Sequence, residues 1–197
     1  MDQDIERTNA IGEALAGAVQ LSSDTNQGWN RDEAVSFARG ASSVLDFLEQ
    51  PLHGHDVEGM AMIAGEASCP IAADEGLHSF DDVRRHHAMG AAQGGSVKMI
   101  KLGGVTRAHQ ATKLFDELGM HVNIAGKIAE SSVSSSAVLQ LGAAAPSIEW
   151  GTSCTCQFLK TDIARNPVQV IDGRAKVPAG AGLGIDVDED ALAEFAR

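Results

Sequence analysis

Short apolar runs alternate along the chain with longer segments whose apolar residues recur at helical spacing. The runs have the length of strands, and glycine-containing or polar stretches bound them. They predict six strands, at residues 19–23, 44–48, 71–73, 96–102, 121–125 and 147–150.

Helices are predicted between these strands from helical periodicity and from polar residues that can cap a helix start. Asn30 and Ser79 are the expected caps of two of them. An alternation of strand and helix is typical of an α/β fold with a parallel sheet. The helices are predicted at residues 5–15, 31–39, 81–90, 106–118 and 134–145.

Charged residues recur where the predicted strands end. Asp24, Glu49, Asp74 and Lys98 follow one another at intervals of 25, 25 and 24 residues. An interval of this length corresponds to one repeated strand–helix unit. In a (β/α) barrel the carboxyl ends of the strands form the active-site face. The alternative is that the carboxylates only cap helices or begin loops, but it does not account for the constant interval.

The run VKMIKLGG, residues 97–104, places two lysines in an apolar stretch. Interpreted as a strand that ends in a Gly-Gly turn, it puts Lys98 and Lys101 on opposite faces, because side chains alternate along a strand. Lys98 is then expected at the barrel mouth as an acid/base group.

Three carboxylates at one face repel one another unless a cation lies between them. Oxygen ligands without histidine favour a hard ion, Mg²⁺ first and Mn²⁺ second. A lysine beside such an ion loses its proton more readily and can act as a general base. The combination predicts proton abstraction from a carbon next to a carboxylate, by way of an enediolate.

Composition and charge narrow the class of protein. The 197 residues are enough for one ordinary domain, and the formal net charge is −12. This acidity argues against a nucleic-acid or membrane partner. Three cysteines imply no disulfide framework, no apolar run reaches the ~18 residues of a membrane span, and the N-terminus lacks the pattern of a targeting peptide. A cytoplasmic location is expected.

Six motifs occur along nearly the whole chain: DTNQGW (24–29), LEQPL (48–52), PIAADEGL (70–77), VKMIKLGGVT (97–106), AESS (129–132) and VPAGAGLGIDVDE (177–189). In order and spacing they resemble the enolase superfamily, namely its mandelate racemase/muconate lactonizing enzyme family and the muconate-lactonizing subgroup. The resemblance implies that Asp24, Glu49 and Asp74 bind Mg²⁺ and that Lys98 is the acid/base lysine. It implies supporting roles for Lys101, Asn26, Glu75 and Glu130.

The resemblance leaves the substrate open. Muconate cycloisomerases often carry a glutamate directly after a WGT sequence, and here Ser153 stands there. Ser153 with its polar neighbours could instead line a site for a small amino-acid-like carboxylate. Trp150 either contacts the substrate or packs in the barrel, and Lys127 either meets a substrate carboxylate or faces solvent.

The family's K-x-K motif, first two barrel strands and N-terminal capping domain have no counterpart in these residues. The expected fold is therefore a partial TIM (β/α) barrel of about six βα units, the third to the eighth. Residues 1–197 are expected to form a single, N-terminally truncated, C-terminal barrel domain. Six strands leave two sheet edges that a closed barrel lacks, so the isolated chain is expected to be weakly folded or inactive.

Three functional outcomes follow from the resemblance. The first expectation is racemisation or epimerisation of a small carboxylate. The second is cycloisomerisation or dehydration, for example of a proline- or hydroxyproline-type substrate. The third is a non-catalytic partial barrel that acts only with a complementary fragment. The full-length enzyme is expected to form a homo-oligomer and to need neither nucleic acid nor membrane.

Overall fold

The computed structural model describes residues 1–195. The chain divides into two compact units. Unit 1 comprises Met1–Ser96 with Glu117–His121, and unit 2 comprises Val97–Asp116 with the chain from Val122 onward.

Unit 1 contains parallel strands that alternate with helices. Each strand pairs with the next in chain order, and Asp24 lies opposite Glu49, which in turn lies opposite Ala72. Ala72 lies opposite Gly94 on the fourth strand. The strands are β1 Ser22–Asp24, β2 Phe47–Glu49, β3 Ile71–Ala73 and β4 Gly94–Val97, whose last residue opens unit 2; the helices are α1 Asp2–Leu15, α2 Arg31–Ala41, α3 Val57–Glu66 and α4 Phe80–Ala88.

The core of unit 1 forms where α2 and α3 cover the strands. Helix α2 begins in a capping box, because the Asn30 side chain accepts the Glu33 N–H at 3.0 Å and the Glu33 carboxylate accepts the Asn30 N–H at 2.9 Å. Its apolar face includes Phe37, which packs with Met60 of α3 and Leu48 of β2 in one buried cluster. Burial of such side chains stabilises the fold by about 1.5–3 kcal/mol each.

Unit 2 contains two further parallel strands, which pair with Ile124 opposite Thr152. After the second of these strands the chain forms a short antiparallel hairpin and a terminal helix. The strands are β5 His121–Ala125, whose first residue belongs to unit 1, β6 Thr152–Ser153, β7 Val170–Ile171 and β8 Arg174–Ala175. The helices are α5 Met99–Leu102, α6 Val105–Glu117, whose last residue belongs to unit 1, α7 Ser132–Ala144 and α8 Glu189–Phe195.

Several sequence predictions are confirmed. Residues 71–73 and 121–125 are strands, and Asn30 and Ser79 accept backbone N–H groups at the starts of α2 and α4. The predicted placement of the charged residues is also confirmed. Two of them are the last residues of β1 and β2, and two follow β3 and β4 directly: Asp24, Glu49, Asp74 and Lys98.

The predicted strand at residues 96–102 is wrong beyond Val97. Residues 99–102 form α5, and Gly103 and Gly104, at φ 87° and 114°, both donate their N–H to the Met99 carbonyl. The Gly-Gly pair therefore caps a helix, where the left-handed backbone favours glycine. Lys101 consequently lies in a helix, and its orientation does not follow from alternation along a strand.

Other elements differ from the prediction as well. The first two strands begin at Ser22 and Phe47, three residues later than predicted, and residues 42–44 form a short 3-10 helix. The sixth strand lies at 152–153 and not at 147–150, because Gly151 at φ 86° turns the chain before the strand begins. Helix α3 was not predicted. Its sequence VEGMAMIAGE is apolar on most sides and holds two glycines, so it lacks the polar face from which a helix is recognised.

Asp56 connects α2 with α3. Its carboxylate caps α3 by accepting the Gly59 N–H at 3.0 Å and accepts two hydrogen bonds from Arg31 at 2.8 and 2.5 Å. The Arg31 hydrogen bond lowers the pKa of Asp56 below its ordinary value of 3.8. The ionised carboxylate therefore stabilises the folded state above that pH, and the stabilisation is lost as the pH falls through the folded-state pKa.

Asp56→Ala is expected to lower the free energy of unfolding by about 1 kcal/mol at pH 7, because α3 loses its cap. Asp56→Asn is the matched control, since its side-chain oxygen can still accept the Gly59 N–H. Urea unfolding followed by circular dichroism measures both variants. The difference between wild type and Asp56→Asn should shrink as the pH falls below 3.8. An Asp56→Asn variant as unstable as Asp56→Ala at pH 7 would contradict the capping role.

Candidate active site

The three predicted metal ligands lie at the carboxyl ends of neighbouring strands in unit 1. Asp24 and Glu49 are register partners, so they point to the same face of the sheet. Asp74 follows two residues after Ala72, the partner of Glu49, and alternation assigns it to that face as well. Asp24 is exposed, whereas Glu49 is 8% and Asp74 1% exposed.

Glu49 is held from β4. The Ser96 hydroxyl donates a hydrogen bond of 2.5 Å to the Glu49 carboxylate, although β3 lies between the two strands. In a flat sheet, strands two apart are separated by ~9.6 Å, too far for a serine and a glutamate to meet easily. The bond therefore shows that the four strands of unit 1 curve around this face, as barrel strands do.

Asp24 is oriented by the turn that follows it. The backbone N–H of Asn26 donates to the Asp24 carboxylate at 2.9 Å, and Asn26 has a left-handed φ of 46°. An Asx turn of this kind fixes the carboxylate of its first residue. The predicted supporting residue Asn26 thus contacts Asp24 through its backbone.

The turns after β1, β2 and β3 are joined through Gln50, which is fully buried. Its side-chain oxygen accepts the N–H groups of Asp74 and Gly76 at 2.8 and 3.1 Å. Its carbonyl accepts the Thr25 hydroxyl and the Gln27 N–H, both at 2.9 Å. Gln50 therefore bonds both to the turn that follows Asp24 and to the turn that contains Asp74.

Glu75 follows Asp74, and its Oε2 atom is buried without a hydrogen-bond partner. A buried carboxylate oxygen without a partner is costly, so it indicates a site that an added polar or cationic group would complete. The neighbouring backbone is tightly packed, because a Cβ on Gly54 would lie 2.8 Å from the Glu75 carbonyl.

The chemistry of these donors fits Mg²⁺, since all three predicted ligands are carboxylates and Glu75, the residue after Asp74, has a buried carboxylate oxygen without a partner. Across residues 1–195, however, no group of three or more histidine, cysteine, aspartate or glutamate side chains is close enough to form a metal site as it stands. Asp24, Glu49 and Asp74 therefore remain predicted ligands.

The predicted lysines begin unit 2. Lys98 follows β4 directly and keeps an extended backbone at φ −112° and ψ 120°, and its side chain is half-buried. Lys101 lies in α5, where its N–H donates to the Lys98 carbonyl at 3.1 Å. The short helix thus fixes the backbone of Lys98 immediately after the strand.

Other predicted residues of unit 2 meet at Thr155. The Thr155 hydroxyl donates to the Lys127 carbonyl and accepts the Glu130 N–H at 3.3 Å. The Glu130 carboxylate accepts the Ser134 hydroxyl at 2.8 Å. Lys127 itself is exposed, so its backbone is ordered while its side chain extends from the surface.

Trp150 and Ser153, the two predicted substrate residues near β6, have different environments. Trp150 is half-buried, and its N–H donates to the Val122 carbonyl at 3.1 Å. Ser153 is exposed, and its carbonyl accepts the Gly126 N–H at 3.3 Å. The Ser153 backbone therefore joins β6 to the turn after β5, and its side chain remains available.

Sequence reasoning missed Gln50, Ser96 and Thr155. Ser96 precedes Lys98 by two residues. Alternation along a strand therefore indicated that Ser96 faces the same side as Lys98. Gln50 stands between Glu49 and a proline, and no local pattern distinguishes a buried glutamine from an exposed one there. Thr155 forms hydrogen bonds with residues 25 or more positions earlier in the chain, and sequence spacing gives no signal for such contacts.

His86 packs behind the turn that carries Asp74. It is 1% exposed, its Nδ1 hydrogen bonds to the Asp82 carbonyl at 2.9 Å, and its Nε2 is buried without a partner. A Cβ on Gly76 would lie 2.9 Å from Nε2, so only glycine allows this approach. Because a carbonyl can only accept, Nδ1 carries the proton of the neutral ring. Burial lowers the pKa of His86 below its ordinary 6.5.

Strand–helix units with charged residues at the strand ends define a protein of the (β/α)-barrel class. The sequence pattern described as "Enolase C-terminal domain-like" matches residues 1–191. The chain belongs to this family, and the predicted resemblance to the enolase superfamily is confirmed. None of the helices within residues 1–195 combines the length and the apolar character that a membrane span requires.

Similar proteins carry cycloisomerase names. The chain is 30% identical to chloromuconate cycloisomerase of Cupriavidus pinatubonensis over 99% of its own length and 53% of that relative. It is 26% identical to muconate cycloisomerase 1 of Rhodococcus opacus over 98% of its length and 52% of that relative. The crystal structure of muconate cycloisomerase from Pseudomonas fluorescens matches with a TM-score of 0.92 at 25% identity, over 98% of this chain and 54% of that one.

The chain therefore spans about half the length of the curated relatives it matches. Agreement with half of a solved cycloisomerase confirms the predicted fold class, a partial (β/α) barrel of six strand–helix units. Whether residues 1–197 behave as one domain stays a prediction.

The free energy of unfolding is expected to fall as the pH is lowered from 7 towards 5, because the pKa of His86 is lower in the folded chain than its ordinary value of 6.5 and the unfolded chain therefore binds the proton first. One such group contributes a slope of at most about 1.4 kcal/mol per pH unit. His86→Leu should flatten the pH dependence, and His87→Leu, at the exposed neighbouring position, should leave it unchanged. Urea unfolding at several pH values measures this, and equal slopes in wild type and His86→Leu would contradict it.

Proposed function

We propose that this chain forms the catalytic half of an enzyme that cycloisomerises a small unsaturated carboxylate, with proton transfer at the carbon next to the carboxylate. The observation that carries the proposal is the constant placement of Asp24, Glu49, Asp74 and Lys98 at the carboxyl ends of successive strands. The cycloisomerase names of the relatives give the reaction class.

The carboxylates of unit 1 would hold one divalent cation, Mg²⁺ or Mn²⁺. When bound, the ion would supply positive charge that stabilises the charge developing on the substrate's carboxylate oxygens. Ser96 and Asn26 fix the carboxylates of Glu49 and Asp24 before any ligand arrives. Such preorganisation lowers the cost of gathering like charges at one site.

Lys98 would move the proton. Alternation along a strand predicts that Lys98 points to the same side of β4 as Ser96, two residues earlier. Its amine would take the proton from the substrate carbon, or return it in the reverse direction. Lys101 supports this role through the backbone, because α5 fixes the segment that follows Lys98.

Cycloisomerisation is favoured over racemisation, which the sequence placed first. Both reactions can use Lys98 as an acid/base group. The cycloisomerase names of the relatives favour cycloisomerisation. Dehydration could also use Lys98 as the acid/base group, but the names of these relatives do not support it.

The substrate would contact the turns after β5 and β6. Lys127 would pair with a substrate carboxylate from the exposed end of its side chain, and Trp150 with Ser153 would line the site. Ser153 brings a hydroxyl where cycloisomerases often carry a carboxylate. We therefore expect a substrate recognised by hydrogen bonding at this position and not by a negative charge.

The complete enzyme would need the part of the relatives that this chain does not match. We propose that the 197-residue chain alone has little activity and gains it with the complementary half, as a cytoplasmic homo-oligomer. A non-catalytic partial barrel remains the second candidate, because the relatives are matched over only about half their length.

Mg²⁺ is expected to raise the melting temperature of the protein. At a concentration a hundred times its dissociation constant, it should add about 2.7 kcal/mol of stability. Asp74→Asn should abolish the increase, and Asp81→Asn, whose side chain is 95% exposed on α4, should retain it. Differential scanning calorimetry with and without Mg²⁺ checks this. A Mg²⁺ response equal in wild type and Asp74→Asn would contradict the assignment of the metal ligands.

Lys98→Met in the complete enzyme is expected to reduce turnover of muconate by about 10²–10⁴-fold, the usual contribution of a general acid or base. Deuterium incorporation from D₂O at the carbon next to the carboxylate, followed by NMR, should fall in parallel. Lys127→Met is the control for loss of a lysine and should raise KM more than it lowers kcat. Full deuterium exchange by Lys98→Met would refute the role of Lys98.

A further inference from the structure

We infer that Gln50 is the positioning residue that holds the Asp74 turn in register with Glu49, and so determines the affinity of the site for a divalent cation. This inference rests on the proposed function, because it concerns the same carboxylates. It adds a residue that is neither a ligand nor an acid/base group.

The geometry of the side chain is specific to this role. Gln50 Oε1 accepts the Asp74 N–H at 2.8 Å and the Gly76 N–H at 3.1 Å, so it bridges the turn on both sides of Glu75. Gln50 Nε2 donates to the Leu52 carbonyl at 2.9 Å, which fixes the orientation of the amide. An amide accepts at its oxygen and donates at its nitrogen, so one glutamine side chain satisfies both sets of backbone groups.

The backbone of Gln50 is equally constrained. Its N–H donates to the Ala72 carbonyl and its carbonyl accepts the Gln27 N–H, both at 2.9 Å. Its φ of 37° lies in the left-handed region, which residues other than glycine rarely adopt. Such a conformation persists only where the surroundings determine it, and it occurs often at functional sites.

Loss of the bridge has a defined consequence. Gln50 is fully buried, so the N–H groups of Asp74 and Gly76 would lose their acceptor away from solvent. The turn would then be free to move Asp74 relative to Glu49, the next carboxylate along the sheet. Residues that orient metal ligands typically change metal affinity by about 10–100-fold when they are replaced.

Gln50→Asn is the decisive variant. Asparagine tolerates left-handed φ better than glutamine does, so the backbone can stay in place while the amide withdraws by about 1.5 Å. The control is Gln93→Asn, the same chemical change at the other end of β3, where the exposed Gln93 accepts the Ile71 N–H at 2.9 Å. Gln50→Met, which fills the space but accepts no hydrogen bond from these amides, is the second variant.

Two measurements on folded protein test the inference. Titration with Mn²⁺, followed by electron paramagnetic resonance, should show an affinity 10–100-fold weaker in Gln50→Asn and Gln50→Met and unchanged in Gln93→Asn. Amide hydrogen exchange without metal should show the Asp74 and Gly76 N–H groups protected in wild type and in Gln93→Asn, and unprotected in both Gln50 variants.

The outcomes separate this inference from the proposed function. Wild-type affinity in a folded Gln50 variant would overturn the positioning role and leave the proposed function intact, even if that variant were less stable. Unprotected Asp74 and Gly76 amides in wild type would also overturn it. A wild-type protein that binds no Mn²⁺ would overturn the proposed function together with the inference.

Discussion

The burial of like charges at the ends of neighbouring strands is the constraint on which the rest of this structure depends. Parallel strands lie ~4.8 Å apart, and two carboxylates at about that separation repel by roughly 3 kcal/mol at an effective dielectric constant near 20. Glu49 and Asp74 are both buried, so each must be held by the protein around it. The polar contacts at this edge of unit 1 serve that purpose.

Neutral groups contact each of the three predicted ligands. A serine hydroxyl bonds to Glu49, and a backbone N–H bonds to Asp24. A glutamine fixes the backbone of Asp74. Hydrogen bonds from neutral donors lower the cost of an ionised carboxylate. The carboxylate of Asp56, on the helical layer, accepts hydrogen bonds from Arg31 and caps α3.

Sequence spacing predicted the residues that repeat once per strand–helix unit. It failed where the conformation of one turn determines whether a segment is a strand or a helix. Asp24, Glu49, Asp74 and Lys98 were found because one interval places each of them at the carboxyl end of a strand. The segment after Lys98 was predicted as a strand because a short apolar run fits a strand or a helix equally well. The left-handed conformation of Gly103, which ends the helix, does not follow from the hydrophobic pattern.

The contacts that hold the carboxylates could not be predicted for a related reason. Ser96 reaches Glu49 across 47 positions of sequence, and Gln50 reaches Asp74 across 24. Both bonds depend on the curvature of the sheet and on one left-handed backbone angle, which arise from tertiary packing. The candidate residues of the site were therefore accessible from residue types at strand ends, whereas the contacts that hold them became visible only in three dimensions.

The same distinction explains why the reaction class is better supported than the substrate. Proton transfer needs groups that strand ends position, and those groups recur at a fixed interval. Substrate recognition depends on side chains such as Lys127 and Ser153, both exposed at the ends of turns or short strands. Their backbones are fixed by hydrogen bonds through Thr155 and Gly126, whereas no sequence interval predicts what their side chains contact. A barrel of this kind can thus keep one proton-transfer chemistry while its substrate varies.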